Sequence, residues 1–528
     1  MTYQDGLDSL SRQETYLVRL NLDTAISGGS YETITLGDIP STEGYFPCVN
    51  SINWIPSRAS EDGGLGYLGE VTIKAKDFSY GDQGTFFGRL IANNIYYLNR
   101  VVDIYVGFYE LGDTFNISNF QKRTYFIKRI DGPDQNGNVT IQAADVLSRL
   151  KEAELPIATN GSLAGSMTAT ETAVYTDIGD TTDFDSGGGY ALIEDEIIQY
   201  SAVVDSTDIV TSARGQGGTE GSAHDAGKPV RNIYQNSGNV VDVIRDIIED
   251  FSDIDHASYL PDTDWNTEKT TYLNSESVEL WVTEPTSLDE VIDKLCKDSY
   301  ISLWWDDAEQ EIKIKALGPT LAAATEWNDD EHILDAQIRI KRDQKKVLSA
   351  VWYFYGKINQ NEGNDAENFD SVYINVDTTV ETALGEERVK KVYADSIPDT
   401  GTGTASKVTG RLLAQSKEPI EFSCYVDAKD SGIDIGDAIT INSSLIQGTD
   451  GNNAPTIMRV IEKAQKQNNR YFYKLVKTGQ EVGDRYAVVG PNTLNAYASE
   501  STANRNNYGF ISNNTPEMSN GDDPYLIL

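Results

Sequence analysis

The residues best suited to acid–base or nucleophilic chemistry are few in this chain, and none stands in a recognisable catalytic motif. The three histidines lie far apart in the sequence: His224, His256 and His332. Neither an HExxH zinc motif nor a GxSxG nucleophile elbow occurs. The segment from Gly221 to Lys228 resembles a phosphate-binding loop, but it has one residue too many between its glycines, and Pro229 replaces the magnesium-binding hydroxyl. The glycine string 215–221 is followed by no amphipathic helix, so a dinucleotide loop is not predicted either.

Acidic residues offer two further chemistries, glycoside hydrolysis and calcium binding. The carboxylate pairs Asp306–Asp307 and Asp329–Asp330 could serve a glycosidase, but a chain with 82 acidic side chains contains adjacent pairs by chance. The run 131–137 resembles part of an EF-hand, yet the first ligand position falls on Gly132 and the closing one on Ala143. It lies between two apolar extended stretches, which favours a hairpin loop. We therefore predict no catalytic residue, no metal site and no cofactor.

Length and charge exclude several classes of protein. The 528 residues predict roughly three or four domains. The 43 basic and 82 acidic residues give a net charge of −39, which disfavours nucleic-acid binding because the surface would repel phosphate. No apolar run approaches the roughly 18 residues that cross a bilayer, and the first residues lack the features of a signal peptide, so we expect no stable membrane insertion. Cys48, Cys296 and Cys424 are too far apart to predict a disulfide framework or a zinc site, which fits synthesis in a reducing cytoplasm.

The elements that would position any site fall into blocks. Residues 1–156 are mainly strands, because runs such as EVTIKAKDF and RTYFIKRI combine alternation with β-branched and aromatic residues. This first β domain ends in a short helix with an apolar stripe that includes Leu147 and Leu150. Residues 157–232 are rich in Gly, Ser, Thr and Asp around short strand-like pieces, which predicts a small inserted β module.

Residues 233–325 alternate helix and strand, which predicts an α/β domain. Apolar residues at helical spacing over 240–251 predict an amphipathic helix. A second helix begins at 287–290, where Ser and Glu form the pattern of a capping box. In the strand YISLWWD that follows, Trp304 and Trp305 point to opposite faces, and we predict that at least one of them is in the core.

The rest of the chain returns to strands. Residues 326–480 contain runs such as KVLSAVWYFYGKI and RYFYKLVK and one amphipathic helix around 405–417, which we assign to a second β domain. Residues 481–528 are polar, but they include YGFISNN and PYLIL, which a free tail would rather bury. We interpret 481–528 as a C-terminal extension that docks on partners, with a flexible terminus as the alternative.

One phrase in the inserted module is more specific than the rest. The pattern RG-x-x-GT-x-x-x-AH-x-x-G is formed by Arg214, Gly215, Gly218, Thr219, Ala223, His224 and Gly227. It looks like a small module that recurs in phage tail proteins. Three stretches follow one another along the chain: RTYFIKRIDG…GNVTIQAADVLSRL, then YISLWWD…EIKIKAL, then DIGDAITI. With these stretches in this order, the chain as a whole resembles the baseplate hub or tail-tip hub proteins of tailed bacteriophages. The closing YGFISNN…Y-x-I is similar to hub C-termini.

This resemblance implies a fold and a structural function. The fold would be mainly β with an α/β part: two tail-tube-like β-barrel domains flank an α/β domain, and a small β module is inserted. Hubs of this family are homotrimers in which two barrels per chain form a pseudo-hexameric ring around a channel. The expected role is that of a non-enzymatic hub at the distal end of the phage tail in the virion, which gates DNA ejection.

The same resemblance implies the partners of the chain. The hub would join the tail tube or distal tail protein to a central tip or fibre protein and would hold the end of the tape-measure protein. DNA would be a partner only in transit through the channel. Acidic residues lining that channel would repel the phosphates of the DNA, although acidity also serves solubility or adaptation to salt.

Two other functions stay open at this point. A receptor-binding or adhesin-type tail protein would bind host cells in isolation, whereas a hub would bind tube and tip components. A polysaccharide-degrading tail enzyme would need two or three carboxylates at a set spacing in a concave site.

Overall fold

The computed structural model of the chain describes residues 14–22, 31–36, 45–82, 84–109, 115–318, 325–334, 338–466, 470–478 and 501. The fold is mainly β with an α/β part and has several domains, as expected. The predicted C-terminal extension, apart from Ser501, lies outside the described residues. Among the described helices, none is long and apolar enough to span a membrane.

The first β domain is a closed barrel. Its segment of the chain contains β1 Glu14–Asn21, β2 Tyr31–Leu36, β3 Val49–Ile55, β4 Gly64–Leu65, β5 Glu70–Lys76, β6 Val101–Phe108, β7 Gln121–Asp131, β8 Asn138–Ala144 and β9 Glu154–Leu155. Seven of these strands form an antiparallel sheet in the order β2-β1-β6-β7-β8-β5-β3. The sheet closes because Phe46, just before β3, bonds to β2: Thr35 N donates to Phe46 O at 2.9 Å, and Phe46 N donates to Thr33 O at 3.1 Å.

Alternation of apolar residues fills this barrel. Val71 and Ile73 on β5 are buried and alternate with more exposed neighbours, as the sequence pattern predicts. Helix α1, Phe86–Asn93, follows β5, and its Phe86 and Leu90 pack into the same core. The predicted short helix after β8 is a 3₁₀ helix, Val146–Glu152, rather than an α-helix.

The inserted module has its own core but shares its sheet with the next domain. Its strands are β10 Val174–Asp177, β11 Gly189–Ile193, β12 Glu196–Val203, β13 Asp208–Gln216 and β14 Val230–Asn239. The sheet order is β10-β13-β12-β11-β14-β15, in which β15, Ser277–Val282, belongs to the α/β domain. Strand β14 pairs with β11 over its first half and with β15 over its second half, so it anchors the module.

The α/β domain follows the sequence prediction closely. Its other elements are α2 Val240–Phe251, α3 His256–Tyr259, α4 Asp262–Tyr272, β16 Thr286–Ser287, α5 Leu288–Asp298, β17 Ile301–Asp306 and β18 Glu311–Ala316. The apolar face of α2 is buried, and so are Trp304 and Trp305. Helix α5 begins after Ser287, but the Ser287 side chain makes no capping hydrogen bond, so the predicted capping box does not form.

The second β region contains a six-stranded barrel and a separate three-stranded sheet. Its elements are β19 Glu326–Asn328, β20 Arg339–Arg342, β21 Ala350–Lys357, β22 Phe369–Val376, α6 Thr378–Leu384, β23 Val389–Tyr393, α7 Thr402–Ser416, β24 Ile420–Asp427, β25 Ala438–Asn442, β26 Thr456–Lys466 and β27 Arg470–Lys477. The barrel sheet has the order β19-β25-β26-β27-β24-β20. Ile333, between β19 and β20, forms a bridge with Val426 of β24 and so continues the pairing of β20 with β24.

The small sheet β22-β21-β23 packs with helix α7 in the α/β core rather than in the second barrel. Val351 and Tyr353 of β21 share one apolar cluster with Leu412 of α7 and Ile292 of α5. The strand pattern of this segment predicts that it belongs to the second β domain, 326–480, because the pattern does not show which core buries it. We propose a boundary that assigns residues 350–416 to the α/β domain.

Candidate assembly surfaces

The two barrels share one strand order. In the first barrel the neighbours run β3-β5-β8-β7-β6-β1, and in the second they run β20-β24-β27-β26-β25-β19, with matching chain order. Each contains a long hairpin, β7–β8 or β26–β27, whose first strand carries a β-bulge. The first barrel has β2 in addition, and β19 runs parallel to β25 whereas β1 runs antiparallel to β6. One polypeptide therefore carries the same barrel topology twice.

The barrels lie side by side, and β26 faces the first barrel. Ala59 N donates to Ile461 O at 2.9 Å, and Arg58 approaches Glu462 at 3.7 Å. Further along β26, the Gln465 side chain accepts a hydrogen bond from Arg123 of β7 at 3.0 Å and donates one to Glu14 of β1 at 3.3 Å. These contacts fix the relative position of the two barrels within one chain.

Trp304 joins the α/β domain to the second barrel. Its ring lies against Gly436, which has φ +94°, and a Cβ added there would lie 2.8 Å from the ring. Gly436 belongs to the DIGDAITI run on which part of the hub resemblance depends. The glycine thus serves both a left-handed turn and a close approach to an aromatic ring.

Two exposed apolar surfaces stand out on the described residues. The first follows α1 on the first barrel, where Ile95, Tyr96 and Leu98 are 66%, 79% and 62% exposed. The second is the outer face of the edge strand β22, with Val372 and Ile374. Contiguous apolar surface of this kind typically marks protein–protein contacts.

The RG…GT…AH phrase builds a buried ionic cluster. The Arg214 guanidinium donates twice to the Glu196 carboxylate, at 2.7 and 2.6 Å. His224 bonds the same carboxylate through Nε2 at 2.8 Å and Glu194 through Nδ1 at 2.9 Å. Glu196 also accepts from the backbone N–H of Ser222 at 2.9 Å. Burial acts to raise the pKa of Glu196, but its hydrogen bonds outweigh burial, so the pKa lies below its ordinary value.

The glycines of the phrase dock the module onto its neighbour. Gly217 and Gly218 both have positive φ, and Gly217 O accepts a hydrogen bond from Gln360 N at 2.9 Å. A Cβ on Gly218 would overlap the carbonyl oxygen of Ile358. The glycine string that superficially resembles a dinucleotide loop is therefore an interface between the module and the loop after β21.

The carboxylate pairs considered for hydrolysis have structural roles. Asp306 accepts hydrogen bonds from the backbone of Ala308 and Glu309 at 2.9 and 3.1 Å, while Asp307 bonds Arg123 and the hydroxyl of Tyr125, both at 3.1 Å.

The second pair, Asp329–Asp330, lies in a surface turn. Asp329 accepts from both the backbone and the hydroxyl of Ser444 at 2.8 Å, and Asp330 is exposed. The hairpin predicted at 131–137 joins β7 to β8.

The remaining candidate residues do not converge. His256 is exposed at the start of α3, and His332 lies in the turn after β19, so neither lies with His224. In the described part of the chain, no group of three or more His, Cys, Asp or Glu side chains is arranged to hold a metal ion. The three cysteines are buried and unpaired.

Two buried acids that sequence reasoning missed make hydrogen bonds inside their domains. Burial raises the pKa of Asp298 to about 7, against the opposing effect of Lys294. Asp298 Oδ2 accepts from the Ser396 hydroxyl at 2.8 Å, and its backbone oxygen accepts from Tyr353. Burial likewise raises the pKa of Asp145 to about 7. Asp298 lies in no sequence motif, so only its burial identifies it.

Similarity to known proteins is found among solved structures. No protein-family model matches this sequence, and no curated protein matches it. Among solved structures, the chain is similar to a prophage MuSo2 43 kDa tail protein from Shewanella oneidensis, with 9% identity, a TM-score of 0.41, and coverage of 88% of this chain and 98% of that one.

Two further solved structures show a similar degree of likeness. They are a tail protein from Neisseria meningitidis MC58 (9% identity, TM-score 0.39, 88% and 97% covered) and a prophage tail protein from Listeria monocytogenes EGD-e (9%, 0.38, 89% and 95%). All three are tail proteins.

Proposed function

We propose that this chain is the structural hub of a phage tail tip or baseplate, located at the distal end of the tail in the virion. In this role three copies form a ring in which first and second barrels alternate. The ring joins the tail tube or distal tail protein to a central tip or fibre protein. It has no enzymatic activity of its own.

The observation that carries the proposal is the repeated barrel topology. Because each chain presents two barrels with the same strand order side by side, three chains present six similar units. Such a ring matches a six-fold tube on one side and a three-fold tip on the other. A receptor-binding protein or an enzyme has no need for this duplication.

The charge of the chain fits a channel for DNA. With a net charge of −39, a ring of three copies repels the phosphate backbone, so DNA passes without binding. We propose that the ring stays closed around the end of the tape-measure protein and opens to let DNA leave. The tape-measure protein and the transiting DNA are then partners in the channel.

The exposed apolar loop after α1 suits a contact with another subunit. Tyr96 is the most exposed of its residues, and such a side chain buries a large apolar area on docking. We assign this loop to the contact between the first barrel and the tail tube.

The mass of the purified protein tests the proposal. Native mass spectrometry of the chain, alone and mixed with the tail tube protein, should give three times the 58.2 kDa chain mass. Cryo-electron microscopy of virions should then place the chain on the tail axis at the distal end. A strictly monomeric mass in both settings, or a position of the chain away from the tail axis, would refute the hub. Turnover of capsule or cell-wall polysaccharide by the purified chain would instead support the alternative function of a polysaccharide-degrading tail enzyme.

Removing the inserted module tests its place outside the ring. Thr159 Oγ1 lies 3.2 Å from Val230 O, so a short linker can join the two residues once 160–229 are excised. We expect this deletion to keep the trimer. Loss of the trimer, in a variant whose unfolding midpoint is unchanged, would show that the module contributes to the ring.

A further inference from the structure

A large cleft lies where the inserted module meets the α/β domain. Its volume is about 840 Å³, within the range of about 300–1,000 Å³ that small-molecule sites occupy. The glycine-rich loop 183–189 of the module lines one end of the cleft, helix α2 lines the other end, and strand β14 runs between them. None of the residues that line the cleft belongs to either barrel, so the cleft is separate from the contacts that position the barrels.

Strand β14 supplies a row of polar side chains along the cleft. Asn232, Tyr234 and Asn236 lie on one face of the strand, because alternate residues of a strand share a face. The row is about 13 Å long, since each strand residue rises by about 3.3 Å. At one end the Asn232 side chain donates to Asp183 O at 3.0 Å, and at the other end Asn236 donates to Asp246 of α2 at 3.2 Å. These hydrogen bonds connect β14 to both ends of the cleft.

Two glycines let the loop lie against β12 without adding side chains to the cleft. Gly188 has φ +101°, and a Cβ added there would lie 2.8 Å from Tyr200 O. A Cβ on Gly189 would lie 2.9 Å from the hydroxyl oxygen of Tyr200. The same hydroxyl accepts a hydrogen bond from Asp185 N at 3.1 Å. The loop is therefore held in place by the protein itself, and a ligand need not order it.

The charge of the cleft excludes anionic ligands. Four carboxylates line it, those of Asp183, Asp185, Asp246 and Asp250, whereas none of its described lining residues is Lys, Arg or His. Within the described part of the chain, none of the four carboxylates makes an ion pair. The cleft would therefore repel a phosphate or a uronic acid. Its ligand is neutral or positively charged.

The Tyr234 hydroxyl decides between these two kinds of ligand. It accepts a hydrogen bond from the Asn236 side chain at 3.0 Å, and within the described residues its own proton has no acceptor. Burial raises the pKa of Tyr234, and the charges of Asp246 and Asp250 reinforce that effect, so the hydroxyl keeps its proton. An ammonium group has only donors and would leave this proton unpaired. A sugar hydroxyl can both donate to a carboxylate and accept from the phenol.

We propose that this cleft binds a neutral saccharide of two or three sugar rings. Hydroxyl groups of the saccharide donate to Asp246 and Asp250 and accept from Tyr234. The Tyr234 ring, held by an edge-to-face contact with Phe251 at 5.1 Å, packs its apolar body against the C–H side of a sugar ring. This binding function goes beyond the proposed hub and does not depend on the trimeric ring.

Saturation-transfer difference NMR on the full chain tests the class of ligand. The neutral probes are maltotriose, cellotriose, laminaritriose and triacetylchitotriose, and the charged comparisons are trigalacturonic acid and trilysine. We expect at least one neutral trisaccharide to bind with a dissociation constant of about 1 mM or lower, and trigalacturonic acid not to bind. Binding of trigalacturonic acid, binding of trilysine alone, or no signal from any of the four neutral probes would overturn the inference.

Two conservative variants test the site. Tyr234→Phe removes the hydroxyl but keeps the ring, and Asp250→Asn removes one exposed charge. We expect each variant to weaken binding of the trisaccharide about tenfold, the effect of losing one hydrogen bond to a bound ligand. The matched controls are Tyr175→Phe and Asp225→Asn, at exposed residues of the same module outside the cleft, and they should change the constant less than about twofold. Equal effects of the variants and their controls would show that the saccharide does not bind here.

Hydrogen exchange of the wild type locates the saccharide without any substitution. At a saturating concentration of the bound trisaccharide, amides of 183–189 and 232–236 should exchange more slowly, and amides of the two barrels should not change. Protection in a barrel instead of at the cleft would contradict the proposal. The native mass separates this inference from the hub: a trimer that binds no neutral trisaccharide refutes only the saccharide site, and a monomer that binds one refutes only the hub.

Discussion

Replacing Arg214 by methionine should destabilise the inserted module selectively. The substitution keeps a long apolar side chain but removes both hydrogen bonds to the Glu196 carboxylate, whose side chain is fully buried. Glu196 then retains the backbone N–H of Gly215 and Ser222 and the imidazole of His224, without the guanidinium that balances its charge. Breaking a buried ion pair from one side costs about 3–5 kcal/mol.

Hydrogen exchange measures this cost where it occurs. A loss of about 3–5 kcal/mol corresponds to exchange about 100- to 4,000-fold faster, since about 1.4 kcal/mol is a tenfold change. We expect this acceleration in amides of β12 and β13, whereas amides of the two barrels keep their protection. The method suits a chain of several domains because it does not require a single unfolding transition.

A matched surface variant provides the control. Arg231 lies on the same module, where it approaches Glu284 at 3.8 Å and both side chains are exposed. We expect Arg231→Met to change stability by less than about 0.5 kcal/mol. If the two variants exchange alike, the buried cluster does not hold the module together. If acceleration spreads to the barrels, the module is not an independent unit.

Two further variants test other contacts. Gly218→Ala should release the module from the loop after β21, because its Cβ would overlap Ile358 O. The control is Gly227→Ala, since Gly227 also has a positive φ but has open space around it. Hydrogen exchange at Gln360 N should rise far more in Gly218→Ala than in the control. Asp306→Asn should remove one part of the pH dependence of stability. Burial, reinforced by the charge of Asp307, raises the pKa of Asp306 to about 6, so wild-type stability from this group falls as pH rises from about 4 to 6. Urea midpoints at pH 4.5 and 7 should therefore differ less in the variant, and an unchanged difference would refute this assignment.

Local sequence patterns were sufficient to predict a helix or strand wherever that element buries one of its faces. The stripe on α2, the alternation on β5 and the hairpin at 131–137 are all as predicted, because spacing along the chain alone decides which side chains share a face. The pattern failed for β21 and α7. Both have a clear apolar face, but nothing in their own residues shows that the face packs on the α/β core.

Some features of the candidate surfaces could be recognised from the sequence, and others could not. The sequence contains the RG…GT…AH phrase, but the partners of Arg214 and His224 are Glu194 and Glu196, at ordinary-looking positions beside a turn. The exposed run at 95–98 carries a signal, since IYYL in a loop between a helix and a strand is unusually apolar. The buried Asp298 has no such signal.

The sequence by itself determined the mainly β composition, the α/β part and the strong negative charge, because these depend on residue type and local spacing. Only the tertiary structure decided that two barrels repeat one strand order and that β26 joins them. These facts depend on pairings between strands far apart in the chain, such as β1 with β6 and β19 with β25, and on side-chain contacts between the barrels. Such pairings are fixed by the burial of complementary faces in three dimensions, which no local window records.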